Sequence, residues 1–202
     1  MESIAKKIKF TCPKCKSEHM ITCYEQLGPN LKEQVMNASI LQWDCESCEH
    51  KVKLVYPTFY CNIEKEFVVF LRPNVADESC ITEDEKALFK GFTMRLCKTA
   101  DTFVEKVRVL EAGLNDRAIE LLKLITFAKI HVGNDTMQDI YFYRKSESGS
   151  LEFTLMYKDD IDGIDIDSAM YQNVLNIVTD ELPQLDDDVY CIDLNWAGAQ
   201  VV

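Results

Sequence analysis

The chain reads as an α+β protein: a β-rich N-terminal region, then a helical hairpin, a β-hairpin and a C-terminal helix. Three observations predict this. Two cysteine pairs, "CPKC" at 12–15 and "CESC" at 45–48, are flanked by short apolar runs of strand type. From about Val75 onward the apolar residues recur with helical spacing. Further on, two aromatic-rich runs surround a polar turn. The expected division is a β domain over 1–74 and an α+β region over 75–202, and a core shared by the two is compatible with it.

The first elements follow from local signals. "IKFTC", "PKCKS" and "EHMITC" read as strand, knuckle and strand. In "GPNLKEQVMNAS", Gly28 and Pro29 break the strand and Asn30 can cap a short helix carrying Leu31, Val35 and Met36. "ILQWDC" enters the second knuckle. "HKVKLVYPTFYC" leaves it as a strand that Pro57 places near an edge. "EKEFVVFLRPN" is another strand, ended by Pro73.

The helical part begins with "TEDEKALFKGF", followed by "FTMRLC" as a strand. "TFVEKVRVLEAG" pairs Thr102 with Glu105 three residues on, the pattern of a capping box. Its stripe is Phe103, Val107 and Leu110, and Gly113 stops it. "NDRAIELLKLITFAK" starts from Asn115, with Ala118, Leu121, Leu122 and Ile125 on its apolar face. "DIYFYRKSESGSLEFTLMY" reads as a β-hairpin. A helix is expected from about Ser168 to Leu182, stopped by Pro183, with Tyr171, Val174, Leu175, Val178 and Leu182 on its buried face. "VYCIDL" reads as a last short strand, and the acidic run at 186–188 is too short to be a disordered tail.

Composition narrows the function classes. Hydrophobic residues make up 47% and charged residues 28% of 202, an ordinary globular balance long enough for a real core. No run reaches the ~18 apolar residues of a membrane helix. "MESIAKKIKF" lacks the apolar stretch of a signal peptide, so the expected location is the cytoplasm. The net charge of −12 is uneven: residues 1–145 hold 21 basic and 21 acidic side chains, whereas 146–202 hold 13 acidic ones and only Lys158. Such a field repels a phosphate backbone and suits a basic partner.

Nine cysteines are many, and an odd number argues against a full set of disulfides. In a reducing compartment, paired C-x-x-C points to metal or redox chemistry. Two such turns on neighbouring hairpins can direct Cys12, Cys15, Cys45 and Cys48 at one tetrahedral ion, the arrangement of a zinc ribbon. One structural zinc is expected, because four thiolates leave no open position and zinc is a commoner structural choice than iron. A thioredoxin-like redox pair would need a βαβ context that neither pair has. His19, His50 or Cys23 could stand in for a ligand, although two complete pairs already fill the shell. Trp43 is expected to pack against the outside of the site.

In order and spacing, "CPKC", "CESC", "NLKEQVMNASI", "YPTFYCNIEKEFVVFLRPN" and "RLCKTADTFVEKVRVLEAGLNDRAIELLK" resemble the bacterial CpXC family, named for its two cysteine-pair motifs. The resemblance covers roughly residues 10–128. It implies a zinc-binding domain with helices, carries over Cys12, Cys15, Cys45 and Cys48 as ligands, and implies no activity. Three departures stand out. Family members often have Gly soon after each pair, where this chain has Lys16-Ser17 and Glu49-His50, so strained turns are expected. The second pair lacks the proline. Tyr60-Cys61-Asn62 replaces a Tyr-His-Asp pattern, which removes any acid–base role of that His-Asp pair.

Other motifs carry less. No G-x-G-x-x-G, P-loop or G-x-S-x-G occurs. "KDDIDGIDIDSA" matches a calcium loop at Asp160, Asp162 and Gly163, but Lys158 and Ala169 occupy positions that need carboxylates. A solvated turn before a helix start is the better reading, with Asp165 and Asp167 at the helix's positive end. His131 reads as a helix-end partner for carbonyls. Trp196 covers a core edge or forms an exposed hot spot. The expected function is therefore a non-enzymatic, zinc-stabilised protein-interaction module with a basic partner. The alternatives are a zinc-ribbon regulator acting with nucleic acid and an enzyme of unknown class. Residues 1–72 carry ten basic and nine acidic groups, so the nucleic-acid reading needs Lys6, Lys7, Lys9, Lys14 and Lys16 clustered on one face.

Overall fold

The computed structural model describes residues 2–75, 80–131, 136–182, 184–185 and 189–201. Pro183 and the acidic run at 186–188 lie outside them. The chain is mixed α+β and groups into two compact units, Met1–Val107 and Arg108–Val202. Among the described residues, no helix is long and apolar enough to cross a membrane.

The first unit is built on a five-stranded mixed sheet. Its strands are β1 (Ile4–Thr11), β2 (Glu18–Leu27), β5 (Thr58–Asn62), β6 (Phe67–Leu71) and β7 (Thr93–Cys97), in the spatial order β1-β2-β5-β6-β7. β1–β2 and β5–β6 are antiparallel, whereas β2–β5 and β6–β7 are parallel. Every residue of β6 is buried, as expected of an apolar strand covered on both faces. The two-stranded ladder of β3 (Gln42–Asp44) and β4 (Lys51–Lys53) stands apart from this sheet. Between β2 and β3 in the chain lies α1 (Lys32–Met36), which buries Val35. The inserted helix is thus where Gly28-Pro29 and the apolar spacing place it.

Pro57 acts differently from the expectation. It splits the predicted strand into β4 and β5, and β5 is an inner strand between β2 and β6 rather than an edge. Proline is tolerated there because it precedes the first residue of the ladder. α2 (Glu83–Leu88) carries the full capping box: Glu85 N–H donates to Thr82 Oγ1, and Thr82 N–H to the Glu85 carboxylate. Glu85 also pairs with Arg72 at 2.7 Å, and Phe89 meets the rings of Phe59 and Phe70.

α3 (Ala100–Glu111) starts earlier than the spacing suggests, with Thr102 N–H donating to Thr99 Oγ1. The expected box of Thr102 with Glu105 does not form at the helix start. Glu105 is instead 2% exposed and its neighbour Lys106 3%.

The second unit has its own core. α4 (Asp116–His131) is capped by Asn115, whose side-chain oxygen accepts from Ala118 N–H at 3.2 Å. It packs against β8 (Met137–Lys145), α5 (Ser168–Asp180) and α6 (Leu194–Gln200). Ile119, Leu122, Ile140, Phe142, Phe153 and Val174 lie at the centre of this core, with Trp196 packed at its margin.

The expected β-hairpin is β8 with β9 (Leu151–Tyr157), and a third antiparallel strand, β10 (Ile161–Ile166), extends it. The segment read as a solvated turn is thus a strand along half of its length. Asp167 then caps α5 by accepting from Ala169 N–H. "VYCIDL" forms no strand; Tyr190 and Ile192 are buried in an irregular segment before α6, which Asp193 caps.

Candidate metal centre

Both cysteine turns have the same backbone. In the first, between β1 and β2, Cys12 N–H donates to Ser17 O at 2.9 Å and Lys16 N–H to Cys12 O at 3.0 Å. In the second, between β3 and β4, Cys45 N–H donates to His50 O at 3.0 Å and Glu49 N–H to Cys45 O at 2.8 Å. The ladders close on them at Thr11↔Glu18 and Asp44↔Lys51. Each turn folds one cysteine back over the next residues, so both sulfurs face the same side.

The turns also share a cost. Lys16 and Glu49 have φ of 63° and 56°, the left-handed region that costs a side-chain-bearing residue about 1–2 kcal/mol. This is the strain expected from the missing glycines. Lys16→Gly and Glu49→Gly should each stabilise the protein by about 0.5–1 kcal/mol, since glycine's extra unfolded-state freedom offsets part of the relief. Urea unfolding at fixed metal loading checks this, and a loss of stability would contradict it.

The four Sγ atoms of Cys12, Cys15, Cys45 and Cys48 lie within 4.8 Å of one another. Cys12 and Cys48 are 3.8 Å apart, and Cys15 and Cys45 3.6 Å. A tetrahedron of thiolates with metal–sulfur bonds of ~2.3 Å has edges of about 3.8 Å. The donor set and its spacing therefore fit a tetrahedral thiolate-bound ion. Cys12 and Cys45 are buried, Cys48 is half-buried and Cys15 is exposed.

Backbone amides point at the sulfurs: Ser17 at Cys15, Ser47 and Cys48 at Cys45, and His50 at Cys48. The thiols are far from equivalent. The Ser17 hydroxyl, then the Ser17 amide, hold Cys15 down to about 6. Burial pushes Cys45 up, but the amides of Ser47 and Cys48 outweigh it and the thiol is lowered. At Cys48 the His50 amide pulls down, while burial and the neighbouring sulfurs push harder and raise it to about 12.

Loading the metal-free chain near pH 8 must displace thiol protons, both from unfolded cysteines, whose ordinary pKa is about 8.5, and from Cys48, whose thiol is raised in the folded site. At least one proton per ion should be released, and affinity should rise with pH because the metal competes with protons for thiolate. Calorimetry in two buffers of different ionisation heat measures this; zero proton release would contradict it.

Of the residues that could stand in for a ligand, Cys23 sits in β2, buried among Ile21 and Leu54 and away from the centre. His50 supplies its backbone. His19 stands beside the four sulfurs, with Nε2 3.5 Å from Cys45 Sγ, and its ring lies 5.1 Å from Trp43. Trp43 packs on Phe10 and His19 at the outside of the site, as expected.

The sequence reading overlooked Ser17, whose hydroxyl is 2.9 Å from Cys15 Sγ. The signal was its position two residues after a cysteine, within reach of that sulfur. Cys61 and Asn62 are structural: Cys61 is fully buried, and Asn62 Oδ1 accepts from the amides of Glu64 and Lys65 to shape the β5–β6 turn. Asp160 and Asp162 accept from the amides of Ile161 and Gly163, and Asp162 lies in an extended strand, where successive side chains diverge instead of converging on calcium.

A family model described as CpXC protein matches residues 10–123. No curated protein and no solved structure matches the chain.

Proposed function

The chain belongs to the CpXC family, and on that premise we propose that it is a non-enzymatic interaction protein held in shape by one structural zinc ion. Cys12, Cys15, Cys45 and Cys48 are the proposed ligands. The observation that carries the reading is the spacing of the four sulfurs, which matches a closed tetrahedral shell. A closed shell offers no position to substrate or water, so the ion's contribution is a cross-link between two hairpins. Zinc is preferred to iron because tetrahedral thiolate sites accept both and zinc is the commoner structural ion. The cytoplasm, where thiols stay reduced, is the compartment this chemistry suits.

The proposed partner is a basic protein, met by the acidic second unit. β10 is an outer strand of its sheet and carries Asp162 and Asp165, flanked by Asp160 and Asp167. Asp is disfavoured in strands, so the run is not explained by strand propensity. The lysines of β1 support a protein partner over nucleic acid: Lys6 pairs with Glu25 and Lys9 with Glu18 across the β1–β2 ladder. Glu46 and Glu49 on the second knuckle further dilute the positive charge of Lys14 and Lys16 on the first.

Affinity capture from the native cell, repeated with Asp160→Asn, Asp162→Asn and Asp165→Asn combined, tests this. A basic protein should be retained by the unmodified chain, lost with the variant, and released by salt. Identical capture by both chains, or capture of nucleic acid alone, would overturn the reading.

A further inference from the structure

A hydrogen-bonded run of side chains ends on two of the four sulfurs, and closing the shell does not require it. Ser17 Oγ lies 2.9 Å from Cys15 Sγ and 3.8 Å from Cys45 Sγ. It also lies 2.7 Å from His19 Nε2, which is itself 3.5 Å from Cys45 Sγ and 3.4 Å from Ser47 Oγ. The His19 side chain is only 11% exposed. Its ring is braced by Trp43 at 5.1 Å, and Trp43 in turn meets Phe10 edge-on at 5.3 Å. The donors therefore sit in a fixed place beside Cys15 and Cys45.

The geometry points to Ser17 and His19 as positioning residues for the metal: the Ser17 hydroxyl donates a hydrogen bond to the Cys15 thiolate and His19 orients that hydroxyl, which slows release of the ion. The inference rests on the proposed zinc site. Four thiolates around a divalent ion leave the centre with two excess negative charges, and that excess weakens retention. A hydrogen bond into a thiolate withdraws part of the charge, and donors to a charged acceptor are the strong ones. With the ring proton on Nε2, His19 donates to Ser17 Oγ, which frees the Ser17 hydroxyl proton for Cys15. Groups that touch metal ligands in this way typically change metal affinity about 10–100-fold.

The test uses the full chain loaded with zinc and, separately, with cobalt(II) as a spectroscopic probe. Ser17→Ala removes the hydroxyl. His19→Phe removes the nitrogen but keeps a ring against Trp43. Ser17→Thr and His19→Gln restore a donor. Ser17→Ala and His19→Phe should lose zinc to a chelator roughly 10–100-fold more readily. Their cobalt–thiolate charge-transfer band should move to longer wavelength, because thiolates without donors give up electron density more easily. The two donor-restoring variants should return both readouts towards the unmodified chain. A residue that served only packing would leave the band in place. Loaded variants with unchanged band and release rate would overturn the inference while leaving the zinc site standing. An unmodified chain that binds neither metal would overturn both.

Discussion

Replacing Cys12 or Cys45 by serine should unfold the two knuckles and the β3–β4 ladder, and removing the metal with a chelator should do the same. The reason is how little else holds this part of the chain. Its apolar cluster has three buried members, Ile21, Cys23 and Leu54, with Ile8, Phe10, Trp43, Val52 and Tyr56 only partly covered. β3 and β4 are three residues each, too short to stand as an isolated ladder.

Both turns are strained at Lys16 and Glu49. Structural zinc contributes ~10–16 kcal/mol of apparent binding free energy in small thiolate domains, enough to outweigh such deficits. Loss of that term should release Trp43 into solvent, read as a red-shifted fluorescence and lost near-UV dichroism. Trp196 sits against the separate core of the second unit and reports on it independently, so a Trp196→Phe background isolates the Trp43 signal. Unchanged Trp43 fluorescence in Cys12→Ser would contradict the expectation.

The second large effect lies on α4. Lys123 Nζ is 2.9 Å from Glu120 Oε2, with side chains 4% and 3% exposed, and it lies 5.7 Å from the Tyr141 ring centre. Taking one member of a buried ion pair away leaves the other charge in a poorly solvated place, at a cost of about 3–5 kcal/mol. Lys123→Met and Glu120→Leu should each destabilise by that order. The double variant should lose less than the sum, because the stranded charge is gone. Lys9–Glu18 offers the comparison: both side chains are more than half exposed, and breaking that pair should cost less than about 1 kcal/mol. Urea unfolding of the set decides it, and a loss below ~1 kcal/mol for Lys123→Met would contradict the account.

These two sites show what the sequence could and could not convey. The cysteine cluster was legible because ligand spacing and turn chemistry are local, and the φ of Lys16 and Glu49 follows from the same local pattern. Helix ends with one good cap, such as Asn115, were equally plain. Thr99 and Thr102 both precede the same apolar stripe, and spacing alone does not choose between them.

The parallel joining of β2 to β5 and of β6 to β7 was not legible, since it depends on contacts distant in sequence. Nor were the buried charges at Glu105, Lys106, Glu120 and Lys123, because a charged residue on a helix reads as surface until packing covers it. β10 escaped for a related reason: three aspartates and a glycine among residues 160–165 argue for a turn, and pairing with β9 overrides that propensity.

The central claim, that Cys12, Cys15, Cys45 and Cys48 together hold one zinc ion, is tested most directly by native mass spectrometry with elemental analysis of the purified chain. The account predicts one zinc per chain, lost in Cys12→Ser and Cys45→Ser and kept in Cys23→Ser. A chain that folds with no metal, or that keeps its zinc when Cys12 and Cys45 are both replaced, would contradict it.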